Sequence, residues 1–256
     1  MKATQIPGHE SSFFTNKKDA HGKGFQLTDM EVPIRGSNES MPYVKCIRTD
    51  HDDSYYYAEK FEKTQIVLHF TAGYLKGDVA VLTTPSNHVS VPFILARNGT
   101  ILNMWSSAFW SYHLGPGAIG GNTKGSRRTI GIEISNIGYL KKIGNHLVTA
   151  YRDDDVYCSL DETSQYIQLE TPYRGHLYFA NYTNEQYESL IVLLKYLTAE
   201  YDIPRVFLPF NERYEIGNVG NIPDFRGIVS HVNYRPSGKW DIGPAFDWER
   251  VVDGLA

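Results

Sequence analysis

Gln65-Ile66-Val67-Leu68-His69-Phe70 is a short apolar run that closes on Thr71-Ala72-Gly73, the pattern of a buried strand. The run carries an imidazole near its end. Far downstream a second apolar stretch, Gly227-Ile228-Val229-Ser230, leads to His231, and Gly238-Lys239-Trp240-Asp241 then supplies a carboxylate. Strand ends deliver side chains to one rim of a sheet, where His69, His231 and Asp241 would make three nitrogen and oxygen ligands with a fourth position open. That is the ligand set of a catalytic zinc ion that activates water. A structural zinc more often closes its shell with cysteines, and the chain has only Cys46 and Cys158. The chemistry indicated is that of a zinc hydrolase.

Working outward, Leu75 to Thr84 reads as a helix stopped near Pro85, and Val89 to Ala96 as a strand. The turn Arg97-Asn98-Gly99-Thr100 leads into Ile101 to Trp105, and Thr129 to Ser135 is a third strong strand. Residues 139–182 look like a hairpin-rich insertion split by Asp153-Asp154-Asp155. The clearest helix covers 184–201, with a capping box from Thr183 and Gln186 and an apolar face from Tyr187 to Tyr201. Asp247 to Val252 reads as a short closing helix. Residues 1–60 are polar, without sustained period, and read as an extension of loops and short strands on the body formed by 61–256. Strands interleaved with helices predict a single α/β domain with a central mixed sheet flanked by helices and the zinc site at one rim.

Taken singly, each ligand has a plainer reading. His69 and His231 read as core histidines satisfied by carbonyls, and Asp241 as the cap of a turn. Jointly they match a larger pattern. Ile66 to Gly73, Val89-Ser90-Val91-Pro92-Phe93-Ile94, Tyr112-His113-Leu114-Gly115, Ile130-Gly131-Ile132-Glu133-Ile134 and Gly227 to His231 through Gly238 to Pro244 together resemble one family. These are the zinc-dependent N-acetylmuramoyl-L-alanine amidases of the type 2 amidase and peptidoglycan recognition protein superfamily. The resemblance covers roughly residues 62–254 with gaps around the insertion.

The resemblance implies that His69, His231 and Asp241 bind Zn2+ and that Glu133 is the base that takes a proton from the attacking water. A plain strand carboxylate paired with Arg127 or Arg128 is the other reading of Glu133. Lys239, two residues before Asp241, points the same way as Asp241 in an extended segment while Trp240 turns aside. The resemblance assigns its ammonium to stabilising an oxyanion, and an ordinary surface lysine is the plainer reading. His113 is expected to line the substrate groove. The chain departs from the family pattern at Val91, where some members place a tyrosine near the metal, and at Pro92. The implied activity is hydrolysis of the amide between N-acetylmuramic acid and L-alanine in peptidoglycan or muropeptides, of bacterial or phage type. The alternative is a non-catalytic peptidoglycan-binding protein, a class that typically lacks a ligand present here.

Composition narrows the setting. A net charge of −4 gives no support for nucleic-acid binding or a strongly cationic, wall-adhering surface. No segment has the roughly 18 apolar residues of a membrane span, and Met1 to Pro7 lacks the apolar stretch of a secretory signal. The expectation is a protein made soluble that reaches the wall by release or another export route, or that trims recycled muropeptides in the cytoplasm. The 18 tyrosines suit a carbohydrate or peptide groove and equally suit rigid packing. Gly115-Pro116-Gly117-Ala118-Ile119-Gly120 spells a dinucleotide fingerprint by letter but lies outside any βαβ unit. The extension and the insertion are expected to border the groove, or else to cover apolar surface. Oligomeric state is not legible in the sequence.

Overall fold

In the computed structural model, which describes residues 1–215 and 221–256, helix α1 (Ile6–Asn16) precedes a hairpin of β1 (Phe25–Pro33) and β2 (Ser40–Arg48). Then follow β3 (Gln65–Phe70), α2 (Leu75–Leu82), β4 (Phe93–Leu95), β5 (Ile101–Asn103), α3 (Asn122–Arg128) and β6 (Thr129–Ile134). The insertion holds β7 (Tyr139–Ile143), β8 (His146–Thr149), β9 (Val156–Ser159), β10 (Tyr166–Tyr173) and β11 (His176–Ala180). Helix α4 (Asn184–Glu200), β12 (Gly227–Ser230), the short α5 (His231–Tyr234) and α6 (Trp248–Leu255) complete the chain.

The central sheet has seven strands in the order β1-β2-β5-β4-β6-β3-β12. Strands β4, β6, β3 and β12 run parallel to their neighbours in this series. The β4–β5 and β1–β2 pairs are antiparallel, so the sheet is mixed, as expected. Every residue of β3 is buried because both faces are covered, which is why the run carries no alternation. On one face Ile66, Leu68 and Phe70, with Ile130, Ile132 and Ile134 of β6, pack against Leu190, Leu193, Leu194 and Leu197 of α4. That leaves His69 and Glu133, which are paired across the strands, directed to the opposite face. Helix α4 starts where its capping box predicts: Gln186 N–H donates to Thr183 Oγ1 at 3.1 Å and Thr183 N–H to Gln186 Oε1 at 3.1 Å.

The structure differs from the sequence reading in several places. Only Phe93–Leu95 of the stretch 89–96 pairs as a strand. Helices α1 and α3 were not expected, and residues 1–60 hold two nine-residue strands rather than short ones. Strand β1 shows no alternation because it is exposed on both faces from Thr28 to Glu31. The insertion forms a second antiparallel sheet, ordered β10-β11-β7-β8-β9, whose core of Leu140, Leu147, Tyr157 and Tyr178 also receives Ala3 and Ile6. Tyr55, Tyr56 and Tyr57 are packing residues. Tyr56 stacks on Trp105 and Phe109, and Tyr57 on His88 and Trp110. Cys46 and Cys158 are free and buried in separate clusters. Among the described residues no helix is long and apolar enough to cross a membrane.

Candidate metal centre

His69 leaves β3 one residue before its end, and His231 follows directly on β12, the adjacent parallel strand. A second capping arrangement fixes the turn at His231: Ser230 N–H and Ser230 Oγ both donate to Asn233 Oδ1, at 3.0 and 3.1 Å. Asp241 returns from the loop beyond and is pinned by Val232 N–H, which donates to its carbonyl at 2.9 Å. All three side chains are buried. His231 Nδ1 lies 2.8 Å from His69 Nδ1 and 2.8 Å from Asp241 Oδ2, while His69 Nδ1 and Asp241 Oδ2 are 3.3 Å apart.

The tautomers follow from the carbonyls at the outer ends of this network, since a carbonyl oxygen only accepts. His231 Nε2 carries the hydrogen directed at the Leu114 carbonyl, 2.9 Å away, which leaves its Nδ1 bare. Thr129 donates its hydroxyl hydrogen to the Gly125 carbonyl at 3.0 Å and so accepts from His113 Nε2 at 2.8 Å. His113 Nδ1 is then bare and accepts from His69 Nε2 at 3.0 Å, and His69 Nδ1 is left bare in turn. Two imidazole lone pairs and a carboxylate oxygen converge with no hydrogen between them. A small cation is what such a donor set holds, and outer hydrogen bonds of this type orient metal-binding histidines. These three residues form the metal-type cluster found among the described residues.

The electrostatics agree. Burial, then the neighbouring His231, pulls His69 down to about 4, so it stays neutral as a ligand must. Burial alone would raise Asp241, but its contacts with His231 and His69 outweigh that and hold it well below the usual carboxylate range. Burial, then the His69 and His231 rings, holds His113 well below an ordinary histidine.

Glu133 lies on β6 in register with His69. Its Oε2 is buried with no hydrogen-bond partner in the protein. Burial and Asp241 push this carboxyl well above its ordinary range, with Lys239 pulling the other way. It is no partner of Arg127 or Arg128: among the described residues Arg127 pairs with Glu59. Lys239 is half-buried and its charge is felt by both Glu133 and His69. The next ring, Trp240, turns away into the insertion. It packs on Tyr139 at 4.9 Å and His176 at 5.7 Å, and its Nε1–H donates to the Arg174 carbonyl at 3.2 Å.

His113 sits beside the cluster with both ring nitrogens engaged. Its seat depends on Gly131, because a Cβ there would stand 2.6 Å from Val91 Cγ1 and 3.0 Å from the His113 ring. Val91 is buried in that contact. Thr129, the Leu114 carbonyl and the aromatic grip on Trp240 escaped the sequence reading. Thr129 and the Leu114 carbonyl lie 16 and 117 positions from their histidine partners, the Trp240 ring packs on the distant Tyr139 and His176, and no local signal marks them.

Comparison with known protein families matches residues 62–244 to the family of N-acetylmuramoyl-L-alanine amidases. The chain is 25% identical over 192 residues to the N-acetylmuramoyl-L-alanine amidase AmiD of Escherichia coli (strain K12), across 73% of this chain. It spans about half the length of that relative, 51%. Among solved structures it is similar to E. coli AmiD in complex with anhydro-N-acetylmuramic acid-L-Ala-D-gamma-Glu-L-Lys, at 21% identity and TM-score 0.49, covering 88% of this chain and 65% of that one. It is also similar to the endolysin amidase LysCS of Clostridium intestinale URNW, at 16% identity and TM-score 0.42, covering 78% of this chain and 90% of that one.

Proposed function

The chain belongs to the N-acetylmuramoyl-L-alanine amidase family, and on that premise we propose that it hydrolyses the amide joining N-acetylmuramic acid to L-alanine in peptidoglycan or muropeptides, with zinc held by His69, His231 and Asp241. The observation that carries this reading is the convergence of two bare imidazole nitrogens and Asp241 beside Glu133, whose buried Oε2 has no partner. A zinc ion bound there supplies Lewis-acid chemistry, making water a nucleophile at neutral pH and polarising the scissile carbonyl.

The protein's own groups do the rest. Glu133 accepts a proton from the attacking water and passes it to the departing amine. Lys239 faces the charge that develops on the carbonyl oxygen and lowers the cost of forming it. Thr129 and His113 hold the His69 ring at the angle that aims Nδ1 inward. With both nitrogens engaged, His113 offers a substrate its ring edge rather than a hydrogen bond.

Elemental analysis of protein purified without added metal, with digestion of sacculi and defined muropeptides followed by mass spectrometry, tests the proposal. We expect about one zinc per chain and products split between the lactyl carbonyl and alanine. Absence of zinc together with chelator-insensitive cleavage would overturn the metal assignment, and intact lactyl–alanine amides would overturn the activity.

A further inference from the structure

Seven large apolar side chains are notably exposed among the described residues, and three of them, Val81 (55%), Val89 (44%) and Tyr151 (67%), line the same trough. Clustered exposure of this kind marks a contact surface, whereas scattered exposure does not. The trough has a volume of about 430 Å3, within the range of small-ligand sites. It is assembled from separate parts of the chain: Gly77, Asp78 and Val81 on α2, Val89 ahead of β4, Glu133 on β6, and Tyr151 from the turn between β8 and β9.

Glu133 gives the trough a direction. When an amide is cleaved the nitrogen leaves with a proton, and on the reading above Glu133 delivers it. The nitrogen and whatever is attached to it therefore lie on the Glu133 side. We infer that this trough receives the leaving stem peptide, that Tyr151 is the wall the insertion contributes to it, and that it favours stems whose residue after alanine carries no free carboxylate. The inference rests on the proposed amidase activity. The preference follows from the lining. Among the described residues that line the trough there is no lysine, arginine or histidine, and the ionisable side chains are Asp78, Glu133 and the tyrosines Tyr74 and Tyr151. A carboxylate desolvated against these walls would have no cation to pair with. Residues 1–60 supply none of the lining of this trough, and the insertion supplies Tyr151.

The test compares binding and cleavage. Binding of the free tripeptides L-Ala-D-isoglutaminyl-L-Lys and L-Ala-D-γ-glutamyl-L-Lys, whose second residues differ only in carrying an α-carboxamide or an α-carboxylate, to the zinc-loaded protein is measured by calorimetry, and kcat/KM is measured on the N-acetylmuramoyl derivatives of both and of L-alanine alone. We expect the isoglutamine peptide to bind about tenfold more tightly than the glutamate peptide. Tyr151→Ala should lower the ratio of kcat/KM for the isoglutamine tripeptide stem over the single alanine by about tenfold, and Tyr151→Phe should keep that ratio within about twofold. Val81→Lys, which places a cation in the trough, should shift preference toward the carboxylate stem. Equal binding of the two peptides, or a ratio indifferent to Tyr151→Ala, overturns the inference. Absence of cleavage of every derivative, with peptide binding still weakened by Tyr151→Ala, would instead overturn the amidase reading and keep the peptide site.

Discussion

Glu133 and His69 face each other across adjacent parallel strands, yet their roles separate under substitution. Glu133→Gln keeps the size and polarity of the side chain and removes proton acceptance. Turnover should fall by ~10²-fold or more while metal content stays at the wild-type level. Near-normal turnover would assign the base elsewhere. Lys239→Ala should lower kcat more than it raises KM, because the ammonium matters most as the oxyanion develops. A change confined to KM would make Lys239 a binding residue. Thr129 touches no ligand atom, but it ends the hydrogen-bond chain through His113 to His69. Thr129→Val keeps the shape and removes the acceptor, so metal affinity should drop by about 10–100-fold. Competition against a chromophoric chelator would read this directly, and an unchanged affinity would show that the His69 ring is held by packing alone.

Among the elements, α2 is fastened to the sheet by a buried acid. Ser135 Oγ donates to Asp78 Oδ2 at 2.9 Å, and burial pushes Asp78 up to about 7 from an ordinary value of 3.8, against the hydrogen bonds from Ser135 and Thr71. Between those two values the folded chain binds more protons at this site than the unfolded one, so stability falls as pH rises through the interval and levels off above it. The loss is about 4 kcal/mol at most. Asp78→Asn removes the titration, so relative to wild type its stability should improve between pH 4 and pH 8 by up to that amount. Denaturant unfolding at both pH values checks it, and a pH-independent difference would mean that Asp78 does not titrate in this range. The insertion fastens a second element. Tyr139, stacked on His176 with ring centroids 3.7 Å apart, grips Trp240 between Lys239 and Asp241. Tyr139→Ala should weaken metal binding about tenfold without removing a ligand, and wild-type affinity would show that the loop keeps its own shape.

For the molecule as a whole, local signals gave the elements that bury continuous or periodic apolar surface. Strand β3, strand β6 and helix α4 were legible because burial on two faces leaves an unbroken run, and a helix packed on one side leaves a 3.6-residue period and a cap. The three positions of the metal-type cluster were legible for the same reason, since each follows a recognisable strand end or segment of the family pattern. Elements with little burial were not: β1 is exposed on both faces from Thr28 to Glu31, and α3, Asn122 to Arg128, has Ser126 as its one buried residue. The sequence by itself therefore determined the α/β architecture, the family and the identity of the three side chains that converge in the metal-type cluster, because these depend on hydrophobic pattern and residue chemistry. Tertiary structure alone decided which imidazole nitrogen faces inward, what holds Trp240, and that Tyr151 of the insertion lines the same trough as α2 and Glu133. Those outcomes depend on contacts between segments far apart in the chain, and the free energy of such contacts leaves no periodicity in the residues that make them.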